Sequence, residues 1–229
     1  MKSIIDEIRH TIQIVIENSE YDNKVFIKGG ILRNWLMGKN YFNDVDVAVA
    51  IENGNINLSK QICDWNKCRS IYNPFTEKSK GTSVFRLFTH PKLNEVYFDT
   101  TVLTGLTLTD DVNKGMDFTC NCIYLNVSSG DLHDVTGKGI KDIQDNILRM
   151  VHSNIFIDNP LRIFRLLRLA YTYQMTVDEE TKKQFLKDYK LGYNADKNRV
   201  LNELAQINGE FDDKEMNIIL LEFKEYYQG

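Results

Sequence analysis

The sequence predicts an α+β fold: a head that mixes strands and helices, followed by an all-helical segment. Two observations carry this. Short runs of alternating or continuous apolar residues, bounded by glycine, asparagine and serine, lie before about residue 150. Beyond about residue 153 the long runs NPLRIFRLLRLAYTYQ, EETKKQFLKDYK, NRVLNELAQI and DKEMNIILLEFKEYY all place apolar residues at helical spacing. Strands early and helices late are the order of a mixed domain joined to a helical one. The change of character lies between residues 137 and 153, and the domains are drawn as 1–145 and 146–229.

Residues 3–18 read as an amphipathic helix. Lys24–Lys28 is a short strand that runs into Gly29-Gly30, and Ile31–Met37 is a helix stopped by Gly38. Asp44–Ile51 alternates as a strand, Ser59–Cys68 is a helix, and Ser83–Thr89 and Glu95–Val102 have strand composition. Cys120–Val127 and Ile147–Met150 read as further strands, with the turn signal SSGD between them. No repeat or low-complexity linker interrupts the chain.

Composition narrows the function classes. No stretch approaches 18 uninterrupted apolar residues, so no membrane span is expected. The N-terminus alternates apolar and charged residues instead of forming a secretory signal, which points to a cytoplasmic protein. Cys63, Cys68, Cys120 and Cys122 match no zinc-ribbon spacing and read as reduced thiols. The net charge of −4 equals the balance of residues 210–229, which hold six acids and two lysines. The remainder is neutral overall, so a local basic surface for a nucleic acid stays open.

The most informative stretch is Lys28–Val49, KGGILRNWLMGKNYFNDVDVAV. In the strand DVDVAV, Val45, Val47 and Val49 point one way and Asp44 and Asp46 the other, with the two aspartate Cα atoms about 6–7 Å apart. Such carboxylates repel each other unless a cation stands between them, and a hard dication such as Mg²⁺ suits them. A solvated strand face is the alternative for D-x-D taken alone. Gly29-Gly30 permits close approach of the backbone to a ligand, a helix start follows, and Arg33 lies one turn in. A glycine turn for phosphates and a carboxylate pair for metal describe a nucleotidyl-transfer site.

Five ordered motifs carry a resemblance. GG-x-x-R-N-x-L-x-G…D-x-D, YFDTTV, MDFTCNCIYLNVSSGDLHDVTGKGIKDIQDNILRMV, DNPLRIFRLLRLA and NRVLNELAQI follow one another over about residues 20–210. Together they resemble the class II tRNA nucleotidyltransferase and bacterial poly(A) polymerase family, within the DNA polymerase β superfamily. The resemblance implies a nucleotidyltransferase head with a mixed β-sheet flanked by helices, then a helical, nucleotide-selecting neck. It implies Mg²⁺ in a two-metal site on Asp44 and Asp46, with Asp99 of YFDTTV as the third carboxylate. Phosphates are expected on Gly29, Gly30 and Arg33, the ribose at Asp117 and Asn121, the base edge at Asn159 and Arg162, and further nucleotide contacts at Arg165 and Arg168. The implied activity adds nucleotides from an NTP, CTP or ATP first, to the 3′ end of a tRNA or other small RNA, releasing pyrophosphate.

The chain also departs from the family pattern. The arginine pair of the family's RRDFTINA segment is Gly115-Met116 here, Asn34 stands where the family has an aspartate after the arginine, and Asn159 replaces a base-reading aspartate. Asparagine offers a donor as well as an acceptor, so strict selection of bases that carry an amino group is not expected. The segment after the neck is short, which implies a member without body and tail domains, or one that works with a partner protein supplying RNA-binding function. Two other readings remain: an RNA-binding module of the same fold without turnover, and transfer to a non-RNA acceptor.

Around the arginine helix, Asp158 or Asn159 can serve as the cap and Pro160 as its first residue. Arg162, Arg165 and Arg168 are either nucleotide contacts or partners of acids elsewhere. His133-Asp134 spells a dipeptide used by metal phosphohydrolases, and the head-loop resemblance already accounts for it. Tyr171, Tyr173, Tyr226 and Tyr227 read as core or rim in preference to RNA-stacking residues, and the last helix as a cap over the neck.

Overall fold

A computed structural model of the protein describes residues 4–42, 44–51, 82–90, 94–104 and 106–228. The helix expected over Ser59–Cys68 and the thiols of Cys63 and Cys68 lie outside the described residues. The chain divides into two compact units, one of residues 1–116 and 120–140, the other of residues 117–119 and 141–229. No described helix is long and apolar enough to cross a membrane.

The first unit opens with helix α1 (Ile4–Ile16), which buries Ile5, Ile8, Ile12 and Ile16. Their spacing of three and four residues places them on one stripe of the helix. Strands β1 (Val25–Lys28) and β2 (Asp44–Ile51) flank helix α2 (Gly30–Leu36). Strands β3 (Thr82–His90) and β4 (Asn94–Thr104) follow, then helix α3 (Leu108–Gly115), and strands β5 (Ile123–Asn126) and β6 (Leu132–Asp134). The strands form one sheet in the order β3-β4-β2-β1-β5-β6. Among the described residues, the β2–β4 pair is parallel and the other four pairs are antiparallel, so the sheet is mixed as expected. All four residues of β1 are buried, which fits a strand with neighbours on both sides and cover on both faces.

Sequence reasoning missed α3, β6 and a short helix α4 (Gly139–Gln144). The first begins with a capping box, in which Thr107 and Asp110 satisfy each other's backbone N–H groups. That signal was legible in TLTD. The Ile147–Met150 run shrinks to the two-residue strand β7 (Ile147–Leu148), which pairs with β8 (Thr176–Val177) inside the second unit.

The second unit is helical apart from that pair. Helix α5 (Ile155–Asp158) leads into α6 (Leu161–Tyr173), followed by α7 (Glu179–Asp188), α8 (Lys197–Leu204) and α9 (Lys214–Gln228). Arg149 pairs with Asp142 at 3.0 Å and with Asp178 at 2.8 Å. Phe164 of α6 packs against Phe223 and Tyr227 of α9. Tyr173 and Tyr227 are buried, Tyr171 packs on Phe211, and the exposed Tyr226 packs edge-on against Tyr193 and Tyr227, so all four tyrosines have core or rim contacts. Gly192 lies in the centre of this cluster: the Tyr227 hydroxyl donates to its carbonyl at 2.7 Å, and an added Cβ would come within 2.8 Å of the Phe223 ring. Gly192→Ala should therefore force ring displacement and destabilise the helical unit by about 1–3 kcal/mol. Thermal unfolding followed by circular dichroism checks this, and an unchanged Tm would contradict it.

Candidate active site

The site of the first unit is set by strand register. Lys28 lies opposite Asp46 across the antiparallel β1–β2 pair, and Asp46 lies opposite Asp99 across the parallel β2–β4 pair. On the other side of β1, Lys28 lies opposite Tyr124 of β5. Residues directly opposed on neighbouring strands share a face, so Tyr124, Lys28, Asp46 and Asp99 form a row across four strands. Asp44 belongs to the same face two residues before Asp46 and is exposed, whereas Val45, Val47 and Val49 are fully buried on the other. The alternation read from the sequence holds, and Asp99 stands in register with Asp46.

Gly29 follows β1 and caps α2 with φ 79° and ψ −145°, a conformation that side chains resist. A Cβ there would also lie 2.8 Å from Asp46 Oδ2. Both backbone angle and space therefore require glycine, and the glycine turn touches the carboxylate of the aspartate pair. Arg33, on α2, is buried at 6% exposure. Its Nη1 donates to Asn121 Oδ1 at 2.6 Å, and its Nε and Nη2 donate to Asn34 Oδ1 at 3.2 and 3.0 Å. Asn34 in turn donates to the Tyr41 carbonyl at 2.8 Å. The asparagine after Arg33 thus still grips the guanidinium, as a neutral acceptor, and the structure brings Arg33 together with Asn121.

The surroundings of Asp99 perturb its carboxyl. Burial raises its carboxyl to about 6, with the Lys28 ammonium pulling it down and Asp44 pushing it up. Among the described residues its buried Oδ1 has no hydrogen-bond partner. Among the described residues no three His, Cys, Asp or Glu side chains are gathered closely enough to hold a metal ion. The donor chemistry nevertheless fits a hard dication. Asp44, Asp46 and Asp99 offer only carboxylate oxygens on one face, and Asp99 Oδ1 finds among the described residues none of the hydrogen bonds that burial normally demands.

Sequence reasoning missed the groups beside this row. The Lys28 Nζ donates to Asp111 Oδ2 at 2.6 Å, and the Tyr124 hydroxyl donates to the same oxygen at 2.8 Å. Burial and the Asp111 carboxylate push the Tyr124 hydroxyl far above its ordinary value. A lysine closing the apolar strand VFIK was the available signal. His133-Asp134 has a structural use: Asp134 accepts from the backbone of Gly139 and Ile140, and His133 stacks edge-on against Phe26.

In the helical unit, Asp117 pairs with Arg165 at 3.0 Å, and its Oδ1 accepts from the Phe118 N–H at 2.8 Å. Arg168 pairs with Glu203 of α8. Arg162 is buried at 4% exposure, with Nη1 donating to the Ile155 carbonyl at 3.3 Å. Asn159 Oδ1 accepts from the Leu161 N–H at 3.1 Å, so Asn159 caps α6, while Asp158 ends α5. The segment Asp117–Asn121 is divided, Asp117 belonging to the second unit and Asn121, in a 3-10 turn over Thr119–Asn121, to the first.

Because folding raises the Asp99 carboxyl above its ordinary value, the folded state favours its protonated form. Its ionisation takes stability away as pH rises from about 4 to about 6, and the loss is complete above that window. Asp99→Asn should thus stabilise metal-free protein at pH 8, by on the order of 1 kcal/mol after allowance for partial exposure, and have little effect at pH 4. Thermal unfolding at the two pH values measures this, and equal effects at both would contradict the assignment.

Comparison with known proteins shows the family of the chain. Residues 25–149, more than half of the chain, match the family model of the poly A polymerase head domain. The chain is 28% identical over 191 residues to the mitochondrial CCA tRNA nucleotidyltransferase of Saccharomyces cerevisiae, covering 71% of this chain and 34% of that protein. It is 27% identical over 200 residues to the A-adding tRNA nucleotidyltransferase of Aquifex aeolicus, covering 79% and 22%. The chain thus spans about a third or less of the length of these two relatives. A crystal structure of a tRNA nucleotidyltransferase complexed with a primer tRNA and an incoming ATP analogue superposes with a TM-score of 0.64 at 28% identity, covering 90% of this chain and 57% of that one. With its sheet, its glycine turn and its aspartate row inside the matched residues, the chain belongs to the poly A polymerase head domain family.

Proposed function

We propose that the protein transfers a nucleotidyl group from an NTP to the 3′ end of an RNA, a tRNA or another small RNA, with release of pyrophosphate. The observation that carries this reading is the row of Asp46 and Asp99, with Asp44 beside it, against the Gly29 turn. The names of the relatives support the same reaction class.

In the proposed reaction the RNA 3′-oxygen attacks the α-phosphorus, the bond from that phosphorus to the bridging oxygen breaks, and pyrophosphate departs. Mg²⁺ ions held by Asp44 and Asp46, with Asp99 as the third carboxylate, would supply Lewis-acid stabilisation of the attacking and departing oxygens. The Gly29-Gly30 backbone allows the phosphates to approach, and Arg33, which donates to Asn34 and Asn121, is proposed to meet them with its charge. Asp117 and Asn121 are proposed for the ribose, and Arg165 and Arg168 for the remaining nucleotide contacts. Arg165 is engaged by Asp117 and Arg168 by Glu203, so contact with a nucleotide requires sharing or exchange of those partners. Contacts to the body of the RNA are proposed to come from beyond the matched stretch, in a further segment or a partner protein.

Asn159 and Arg162 are proposed to face the base. An aspartate at 159 could cap α6 with one oxygen and accept from a base amino group with the other. The Asn159 oxygen already accepts from the Leu161 N–H, and its amide presents an Nδ2 donor that an aspartate lacks. A donor complements the carbonyl of U or G better than the amino group of C or A.

Labelled NTP should be incorporated into RNA that ends in a 3′-hydroxyl, in the presence of Mg²⁺, and Asp46→Ala should abolish incorporation while keeping the Tm within a few degrees. Full activity of Asp46→Ala would overturn the reading. Asn159→Asp should shift kcat/KM toward CTP and ATP over UTP and GTP by roughly tenfold, the worth of one exchanged buried hydrogen bond of about 1–2 kcal/mol. The four NTPs assayed in parallel decide it, and an unchanged preference would remove Asn159 from the base site.

A further inference from the structure

Lys28 has no part in the transfer step, yet its placement is costly and tightly held. Lysine is almost never buried without a partner, and Lys28 is 6% exposed. From one side it is fixed by Asp111, itself 8% exposed, whose Oδ2 accepts from both Lys28 Nζ and the Tyr124 hydroxyl. From the other side β-register sets it opposite Asp46, which is opposite Asp99. The ammonium's field reaches Asp99, where it opposes the effect of burial.

The geometry points to Lys28 as the fixed counter-charge of the carboxylate row, a positioning residue that holds Asp46 and Asp99 together without metal and disfavours a divalent cation until a triphosphate arrives. The physical reason is Coulombic. An ammonium beside the row offsets the carboxylate repulsion in nucleotide-free protein, and the same ammonium repels a dication placed among those carboxylates. A triphosphate brings enough negative charge to reverse the balance. Metal loading is then coupled to nucleotide arrival by one residue of β1. This inference rests on the row being the metal site of the proposed function.

The test measures Mn²⁺ affinity of nucleotide-free protein at pH 8.5, by electron paramagnetic resonance of the free ion, with and without a non-hydrolysable NTP analogue. Two variants are compared with the parent. Lys28→Met with Asp111→Leu and Tyr124→Phe replaces the whole cluster by apolar side chains, which buried ion pairs often tolerate. Asp111→Asn keeps the ammonium and removes its compensating charge. Nucleotide-free affinity should rise on the order of tenfold in the triple variant and fall on the order of threefold in Asp111→Asn. A merely structural role would weaken binding in both. If the triple variant does not fold, Asp111→Asn is read with and without the analogue: the inference expects its fall in nucleotide-free protein to disappear when the analogue is bound, and a fall of equal size in both states overturns it. Unchanged affinity in the folded variants, beside normal Mn²⁺ binding by the parent with the analogue, overturns the inference and leaves the proposed function standing. Absence of Mn²⁺ binding in the parent, with and without the analogue, overturns both.

Discussion

The register among β1, β2 and β4 is the constraint on which the site depends. It sets Lys28, Asp46 and Asp99 in one line, and a slip of one residue in either pairing would send an aspartate to the apolar face. Fully buried Val45, Val47 and Val49 on that opposite face make the slip expensive, because the valines would be exchanged for two aspartates and an alanine in the core. The hydrophobic pattern of DVDVAV therefore fixes the chemistry as well as the fold. The glycine turn then follows from the same geometry, since the chain leaving β1 passes against the Asp46 carboxylate with no room for a Cβ.

Arg33 shows how a substitution can keep a geometry and change its electrostatics. A guanidinium buried to 6% exposure needs acceptors for its rigid fork of donors, and Asn34 and Asn121 supply them. A neutral asparagine in place of an aspartate satisfies the hydrogen bonds without cancelling the charge at that contact. Asn159 follows a related logic, because its single side-chain oxygen already accepts from the α6 backbone and its amide adds a donor that an aspartate lacks. Both positions depart from the family pattern in the sequence. The structure supplies which atoms the asparagines use.

Much of the site was legible in the sequence because it depends on short-range periodicity. The alternation of Asp44 and Asp46 with three valines, the glycines before α2, and Pro160 before a run of arginines all express local rules. What stayed hidden depends on long-range pairing. Lys28 and Asp111 are 83 positions apart in the chain, and they meet each other and Tyr124 only through strand register and the placement of α3. The partners of Arg165 and Arg168 were hidden for the same reason, and their ion pairs correspond to the alternative left open for that helix. The Ile147–Met150 run failed as a four-residue strand because Arg149 turns to Asp142 and Asp178 while Met150 bridges to Phe118.

If the aspartate row acts on the α-phosphate of an NTP through a metal ion, the reaction must be sensitive to which atom that metal meets. Incorporation of the two α-phosphorothioate diastereomers of ATP, assayed in Mg²⁺ and then in Mg²⁺ with Cd²⁺, reads this sensitivity. Magnesium prefers oxygen and cadmium accepts sulfur. One diastereomer should be used poorly in Mg²⁺ and be restored by Cd²⁺, and Asp46→Ala should use neither. Equal use of both diastereomers in Mg²⁺, with no response to Cd²⁺, would contradict a metal held by this row.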